Sequence, residues 1–231
     1  MTKTLQHKLE LGDGIYTVAD ISEILQLPTA KVRRWLAAYW NQYSWTIDRS
    51  VAVSFQALVE FYVLYHLGEA GIPTKAVIRA KTALSEWFNT PFPFAQKKIV
   101  ENIQTDQYRI YLEFEGHIVS LDGTKQLNLE FIRQFFHKLD FDQESIALRF
   151  WPRGKEKSIV VDPQRQFGHP VVGTTNIYPE TIYGLYQGGE SIPFICSAYD
   201  LGEKEVQDAI EYCKAAIPTD EMEQRSLDFI L

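Results

Sequence analysis

The chain has 231 residues, 45% of them hydrophobic and 13% aromatic, enough to bury a sizeable core and enough to exclude an intrinsically disordered chain. Its net charge of −7 is unevenly spread: residues 1–162 carry 19 Lys and Arg against 19 Asp and Glu, whereas residues 163–231 carry 4 against 11. A phosphate-bearing partner is therefore expected at the front of the chain and a basic partner at the back.

Residues 1–14 are polar and end in Gly-Asp-Gly, a loose lead-in. From Tyr16 to Trp40 the sequence reads as two short helices joined by a tight turn. Thr17 and Asp20 have capping-box spacing, which starts the first helix, and Ile21, Ile24 and Leu25 share one face of it. Pro28 then interrupts the pattern where its missing N–H costs least, at the start of a second helix. In that helix Val32, Trp35, Leu36 and Tyr39 form the packed stripe, leaving Thr29, Ala30, Lys31, Arg33 and Arg34 on an exposed, purely cationic face. Such a face suits the major groove, where arginine bridges phosphates or a guanine edge. The stretch NQYSWTIDRSVAVSF fits a two-stranded hairpin placed like a wing, with Tyr43, Trp45 and Arg49 within reach of a DNA backbone. A third helix is expected over Ser54 to Ala70, with Leu58, Phe61, Tyr62 and Tyr65 on its apolar side, and a fourth over about Thr74 to Phe88. This order, ending in GEAGIPTKAVIRA, resembles the DNA-binding region of MerR-type regulators, with Ala70, Gly71, Ile72, Pro73, Ile78 and Arg79 at the positions of their signature.

Pro91-Phe92-Pro93-Phe94 marks a boundary. Beyond it a helical turn or two over Gln96 to Gln104 leads to strands over Tyr108 to Phe114 and Ile118 to Leu121. A helix capped by Asn128 follows, then strands over Ala147 to Trp151 and Ser158 to Val161 around the turn Arg153-Gly154-Lys155. The middle is thus a small α+β unit. Asp140, Asp142 and Glu144 lie near His117 and His137 in this region, but their spacing matches no ligand set, and carboxylates in a helix-to-strand loop are ordinarily solvated. No metal, cofactor or catalytic site is expected: no P-loop, dinucleotide fingerprint, nucleophile elbow or HExxH is present. Cys196 and Cys213 form neither a disulfide framework nor a four-ligand zinc site, and two reduced structural thiols are expected. The apolar runs are too short for a membrane span and the start MTKTLQHKLE lacks a secretory core, so the expected location is cytoplasmic.

From Val160 to Ala216 a turn-rich entry precedes three helices, with Pro179 near the first start and Gly188-Gly189 and Gly202 at the breaks. Asp162-Pro163, Gly168, Pro170, Gly173-Thr174 and Ile177, followed by Gly189-Glu190-Ser191, Ile195, Tyr199, Leu201, Val206 and Ala209, resemble the signature of the three-helical domain of unknown function, family 433. With the front helices and the DFDQ…LRFWPRGKEKSIVVDPQRQFGHPVVGT bridge, nearly the whole chain resembles the long VapB-type antitoxins.

The expected class is α+β, mainly α: a winged helix-turn-helix over 1–90, an α+β connecting domain over 91–159, a three-helix domain over 160–216 and an acidic tail over 217–231. The resemblance implies an antitoxin that inhibits a PIN-like ribonuclease toxin and represses its own operon. A homodimer is expected, because one short helix reads too few base pairs. In the tail, Arg225, bracketed by Met222 before it and Leu227, Phe229 and Ile230 after it, is a candidate toxin contact together with Leu227 and Phe229, a cation that could approach the acidic cluster of such a nuclease. The alternative reading is a MerR-like regulator whose middle unit senses a small molecule.

Overall fold

The computed structural model describes residues 12–47, 49–69, 71–100, 103–105, 109–114, 117–122, 137–143 and 146–216. Among these the chain is mixed α and β, mostly helical, with small antiparallel sheets. In order, the elements are β1 (Tyr16–Thr17), α1 (Val18–Leu25), α2 (Thr29–Trp35), β2 (Trp45–Ile47), β3 (Ser50–Val53), α3 (Phe55–Glu69), α4 (Thr74–Phe88) and α5 (Lys97–Val100). There follow β4 (Ile103–Thr105), β5 (Arg109–Phe114), β6 (His117–Asp122), β7 (Leu139–Phe141), β8 (Ala147–Phe150), β9 (Ile159–Val161), β10 (Pro170–Val172), α6 (Pro179–Gln187), α7 (Ile192–Tyr199) and α8 (Glu203–Ala216). They form two compact units, one made of residues 1–55 with 151–231 and the other of residues 56–150.

In the 56–150 unit, α3 is buried nearly all round its first three turns, including Leu58, Phe61, Tyr62 and Leu64, rather than along the single apolar side that the sequence suggests. One buried carboxylate sits in it. Glu60 accepts from the Phe94 amide at 2.8 Å and lies 3.7 Å from Lys81 Nζ, which itself donates to the Pro91 carbonyl at 2.8 Å. The pair ties α3 to α4 and to the turn at residues 91–95. Burial nevertheless dominates, and it pushes the Glu60 carboxyl up to about 7 against the pull of Lys81 and the Phe94 amide. β4, β5 and β6 are consecutive antiparallel strands, with Arg109 opposite Asp122 and Phe114 opposite His117. β7, which the sequence does not announce, pairs with β8. The helix expected from Asn128 lies outside the described residues.

The other unit joins the two ends of the chain. The expected hairpin of β2 and β3 gains a third strand, because Tyr16 and Thr17 pair with Val53 and Ala52. Thr17 is extended (ψ 172°) as the cap of α1, so the residues entering the helix already have strand geometry. Tyr16 is buried against Phe55 and closes on Gly168, whose φ of +93° and lack of Cβ are both required, since a Cβ there would overlap the tyrosine hydroxyl. The Ile15 amide donates to the Phe167 carbonyl at 2.9 Å, and Gln26 Nε2 donates to the Ala215 carbonyl at 2.8 Å. The opening helices are thus seated on the closing ones.

The entry to the closing helices is a hairpin of β9 and β10. Asp162, buried, accepts from the Gln164 amide and from Arg165 Nε, both at 3.0 Å, and Arg165 reaches on to the carbonyls of Gly173 and Thr175. The Asp-Pro and Gly-Thr positions of the motif are therefore halves of one clamp. Behind it Ile159, Val172, Ile182, Ile195, Val206 and Ala209 pack as the core of α6, α7 and α8.

α7 and α8 repeat the architecture of α1 and α2. Ser191 stands where Thr17 stands, each capping its helix by accepting the third amide of the first turn. Both first helices have eight residues and end on a left-handed residue, Gln26 (φ 52°, ψ 49°) and Asp200 (φ 53°, ψ 46°). Buried Leu27 and Leu201 follow, each amide bonding back five residues, to Ser22 and Cys196. Ile21 matches Ile195 and Val32 matches Val206, all four at 0% exposure.

Candidate nucleic-acid interface

The first pair is built tightly. Thr17 N donates to the Asp20 carboxylate at 2.7 Å and Asp20 N to the Thr17 hydroxyl at 3.3 Å, the reciprocal box that the spacing predicts. In the turn, Ser22 Oγ donates to the Leu27 carbonyl and lies 3.2 Å from the Thr29 hydroxyl, fixing where α2 begins. With Val32, Trp35 and Leu36 buried, Thr29, Ala30, Arg33 and Arg34 are left exposed. Residues 26–47 hold three cations and no carboxylate.

Two details differ from the sequence reading. Lys31 is half-buried, its Nζ 4.9 Å from the centre of the Trp35 ring, so its charge lies along the helix rather than fully out from it. Leu36 to Trp40 wind as a wider π-turn, which carries Trp40 rather than Tyr39 into the core. Tyr39 is half-buried and edge-on to Trp40. Of the hairpin candidates, Tyr43 and Trp45 are half-buried, while Arg49 is exposed at the strand turn with φ of +72°. Arg225, Leu227 and Phe229 lie outside the described residues.

α1 meets the closing domain across a cleft of about 170 Å³ lined by Asp20, Glu23, Ile24, His169, Pro170 and Glu180. Burial pushes the Glu23 carboxyl up, Glu180 and Asp20 push it further, and His169 opposes them. A recess of three carboxylates repels phosphate. Sequence reasoning missed this cleft because its walls come from positions some 150 residues apart.

Other candidate chemistry is absorbed by structure. Asp140 lies in β7 opposite Arg149, and Asp142 accepts from the Ile146 amide at 2.8 Å, closing the hairpin turn; Glu144 lies outside the described residues. No group of His, Cys, Asp or Glu among the described residues is arranged to hold a metal ion. Cys196 and Cys213 are free thiols, and burial, then Glu180 and Glu23, push the Cys213 thiol up to about 12. No helix among the described residues is long and apolar enough to cross a membrane.

Residues 159–213 match the family described as "Protein of unknown function (DUF433)". Over 234 aligned residues, 88% of this chain and 95% of the other, the chain is 19% identical to "Putative antitoxin VapB45" of Mycobacterium tuberculosis (strain ATCC 25618 / H37Rv). The crystal structure of Rv2018 from Mycobacterium tuberculosis has the same fold, with a TM-score of 0.65 at 17% identity over 89% of this chain and 99% of that one. The chain is thus similar to the VapB45 protein over most of its length, shares the Rv2018 fold and carries a DUF433 domain at residues 159–213.

Proposed function

We propose that this chain is an antitoxin: it binds and inhibits a PIN-like ribonuclease toxin and represses its own operon. The observation that carries this reading is the similarity to a protein named as an antitoxin across 88% of this chain and 95% of that one. The opening helical pair is the helix-turn-helix, with α2 in the major groove. Arg33 and Arg34 contact phosphates or guanine edges, Thr29 and Ala30 approach the bases, Lys31 adds charge, and Tyr43 and Arg49 meet the backbone from the hairpin. A homodimer supplies two half-sites. Support comes from the run of three cations without a carboxylate and from the exposure of Arg33 and Arg34. The chain does no chemistry of its own.

The test pairs two assays. Co-expression with the product of the neighbouring reading frame is expected to yield a stable complex and to silence that product's ribonuclease activity, and the DNA upstream of the gene is expected to shift in a gel. Absence of a complex together with no shift overturns the reading.

A further inference from the structure

We infer that the outer face of α7, centred on Phe194, is the docking surface for the partner protein, and that the partner meets it with a patch apolar at its centre and bordered by Lys and Arg. This rests on the antitoxin reading above and says where the toxin sits.

In the first helical pair, the outward face of α1 at Asp20, Glu23 and Ile24 borders the cleft shared with His169, Pro170 and Glu180, with Ile24 2% exposed, Asp20 half-buried and Glu23 exposed. The corresponding residues of α7 are Phe194, Ser197 and Ala198. All three are exposed, Phe194 at 52%. One scaffold thus presents the same face twice, with its apolar residue Ile24 buried in one case and its apolar residues Phe194 and Ala198 bare in the other.

The bare face has the composition of a covered one. α7 reads IPFICSAY, eight residues without a charge, whereas a helix that turns a face to water ordinarily carries charged residues on it. The exposed aromatic ring is the kind of anchor that carries binding energy at interfaces. Its surroundings select the partner. Glu190 and Asp200, both exposed, stand just before and after α7, and residues 166–203 hold no Lys or Arg. A nucleic acid is repelled by such a rim. A second copy meeting it across a two-fold axis would set like charges against each other. A protein with an apolar patch bordered by Lys and Arg fits on both counts.

The probe is the protein encoded by the neighbouring reading frame, titrated calorimetrically against the full chain and against Phe194→Asp and Ala198→Glu. Both substitutions are at exposed positions, so melting temperatures are expected within about 2 °C of the unsubstituted chain. The expected result is at least about tenfold weaker binding of the probe by each variant, with the gel shift unchanged. Binding within twofold of the unsubstituted chain overturns the assignment of this face while leaving the antitoxin reading intact. A self-association that sedimentation detects and Phe194→Asp abolishes also overturns it, making the face a contact between copies. Failure of the unsubstituted chain to bind the probe overturns both.

Discussion

In the first helical pair the packed stripe leaves Thr29, Ala30, Arg33 and Arg34 exposed; at the matching positions of the second stand Glu203, Lys204, Gln207 and Asp208. Their interiors agree, Ile21 with Ile195, Leu27 with Leu201 and Val32 with Val206. Packing therefore dictates the inner positions and leaves the outer ones free, so one scaffold takes a cationic finish near the front and a charge-balanced one, Glu203 beside Lys204, near the back. Asp208 shows how far that freedom extends. Where Arg34 faces water, Asp208 is buried, 2.9 Å from Lys157 Nζ and 2.6 Å from Lys204 Nζ, and accepts from the Ser158 amide at 2.9 Å. The second pair uses that position to grip its own entry hairpin.

The severest challenge to this equivalence is to hollow out both interiors. Ile21→Ala and Ile195→Ala each remove a fully buried side chain at matching positions and are expected to cost about 3 kcal/mol apiece in denaturant unfolding. A loss below about 1 kcal/mol at one site alone would break the correspondence. Charge is the next lever. Arg33→Glu with Arg34→Glu is expected to weaken binding to the upstream DNA by about a hundredfold, about 2.7 kcal/mol, whereas Glu203→Lys with Gln207→Lys leaves it within about threefold. A gel shift that tightens by more than about tenfold with the two added lysines would mean that the second pair also meets DNA.

How much of this is legible in the sequence depends on how local the cause is. The capping box at Thr17 and Asp20, the stripe of Ile21, Ile24 and Leu25, and the helix starts and breaks at Pro28, Pro179, Gly188-Gly189 and Gly202 are fixed within one or two turns of chain, and they read directly. β1, β7 and β10 have two or three residues each, too few to display a period. The change of pitch that buries Trp40 instead of Tyr39 has no local signature. The seating of Tyr16 on Gly168 and of Gln26 on Ala215 is tertiary, as is the acidic cleft. The exposed cations were legible because the buried stripe names its complement. Phe194 was not: its bareness emerges only when α7 is set beside α1.

Asp208 separates the two pairs at a smaller scale. Burial alone would raise its carboxyl, but hydrogen bonds from Lys204, Lys157 and Ser158 overcome this and hold it down to about 2. A depressed folded-state value contributes stability above the unfolded value of about 4, and that contribution is lost as pH falls from about 4 through about 2. Asp208→Asn is expected to cost about 2 kcal/mol at neutral pH and progressively less below about pH 4, while Arg34→Gln stays within about 0.5 kcal/mol throughout. Urea unfolding at pH 7 and pH 3 checks both. An Asp208→Asn loss independent of pH would detach the ion pair from the grip.

The finest distinction lies at the two caps. Thr17 and Ser191 both accept the amide three residues on, at 3.3 and 3.4 Å, but only in α1 does the third residue return the favour, with Asp20 accepting from the Thr17 amide at 2.7 Å. At the matching position α7 has Phe194, which has no acceptor to offer. Ser191→Ala therefore forfeits one hydrogen bond and is expected to cost about 0.7 kcal/mol. Thr17→Ala also loses the bond between the Thr17 hydroxyl and the Asp20 carboxylate and loosens the reciprocal one, for about 1.5 kcal/mol. Amide exchange at the first turn of each helix measures the difference without unfolding the chain. Protection should fall further at Ala19 and Asp20 than at Pro193's neighbour Phe194. Equal losses would mean that the aromatic residue holds the start of α7 as firmly as a carboxylate holds α1, and that Phe194 serves its own helix before any partner.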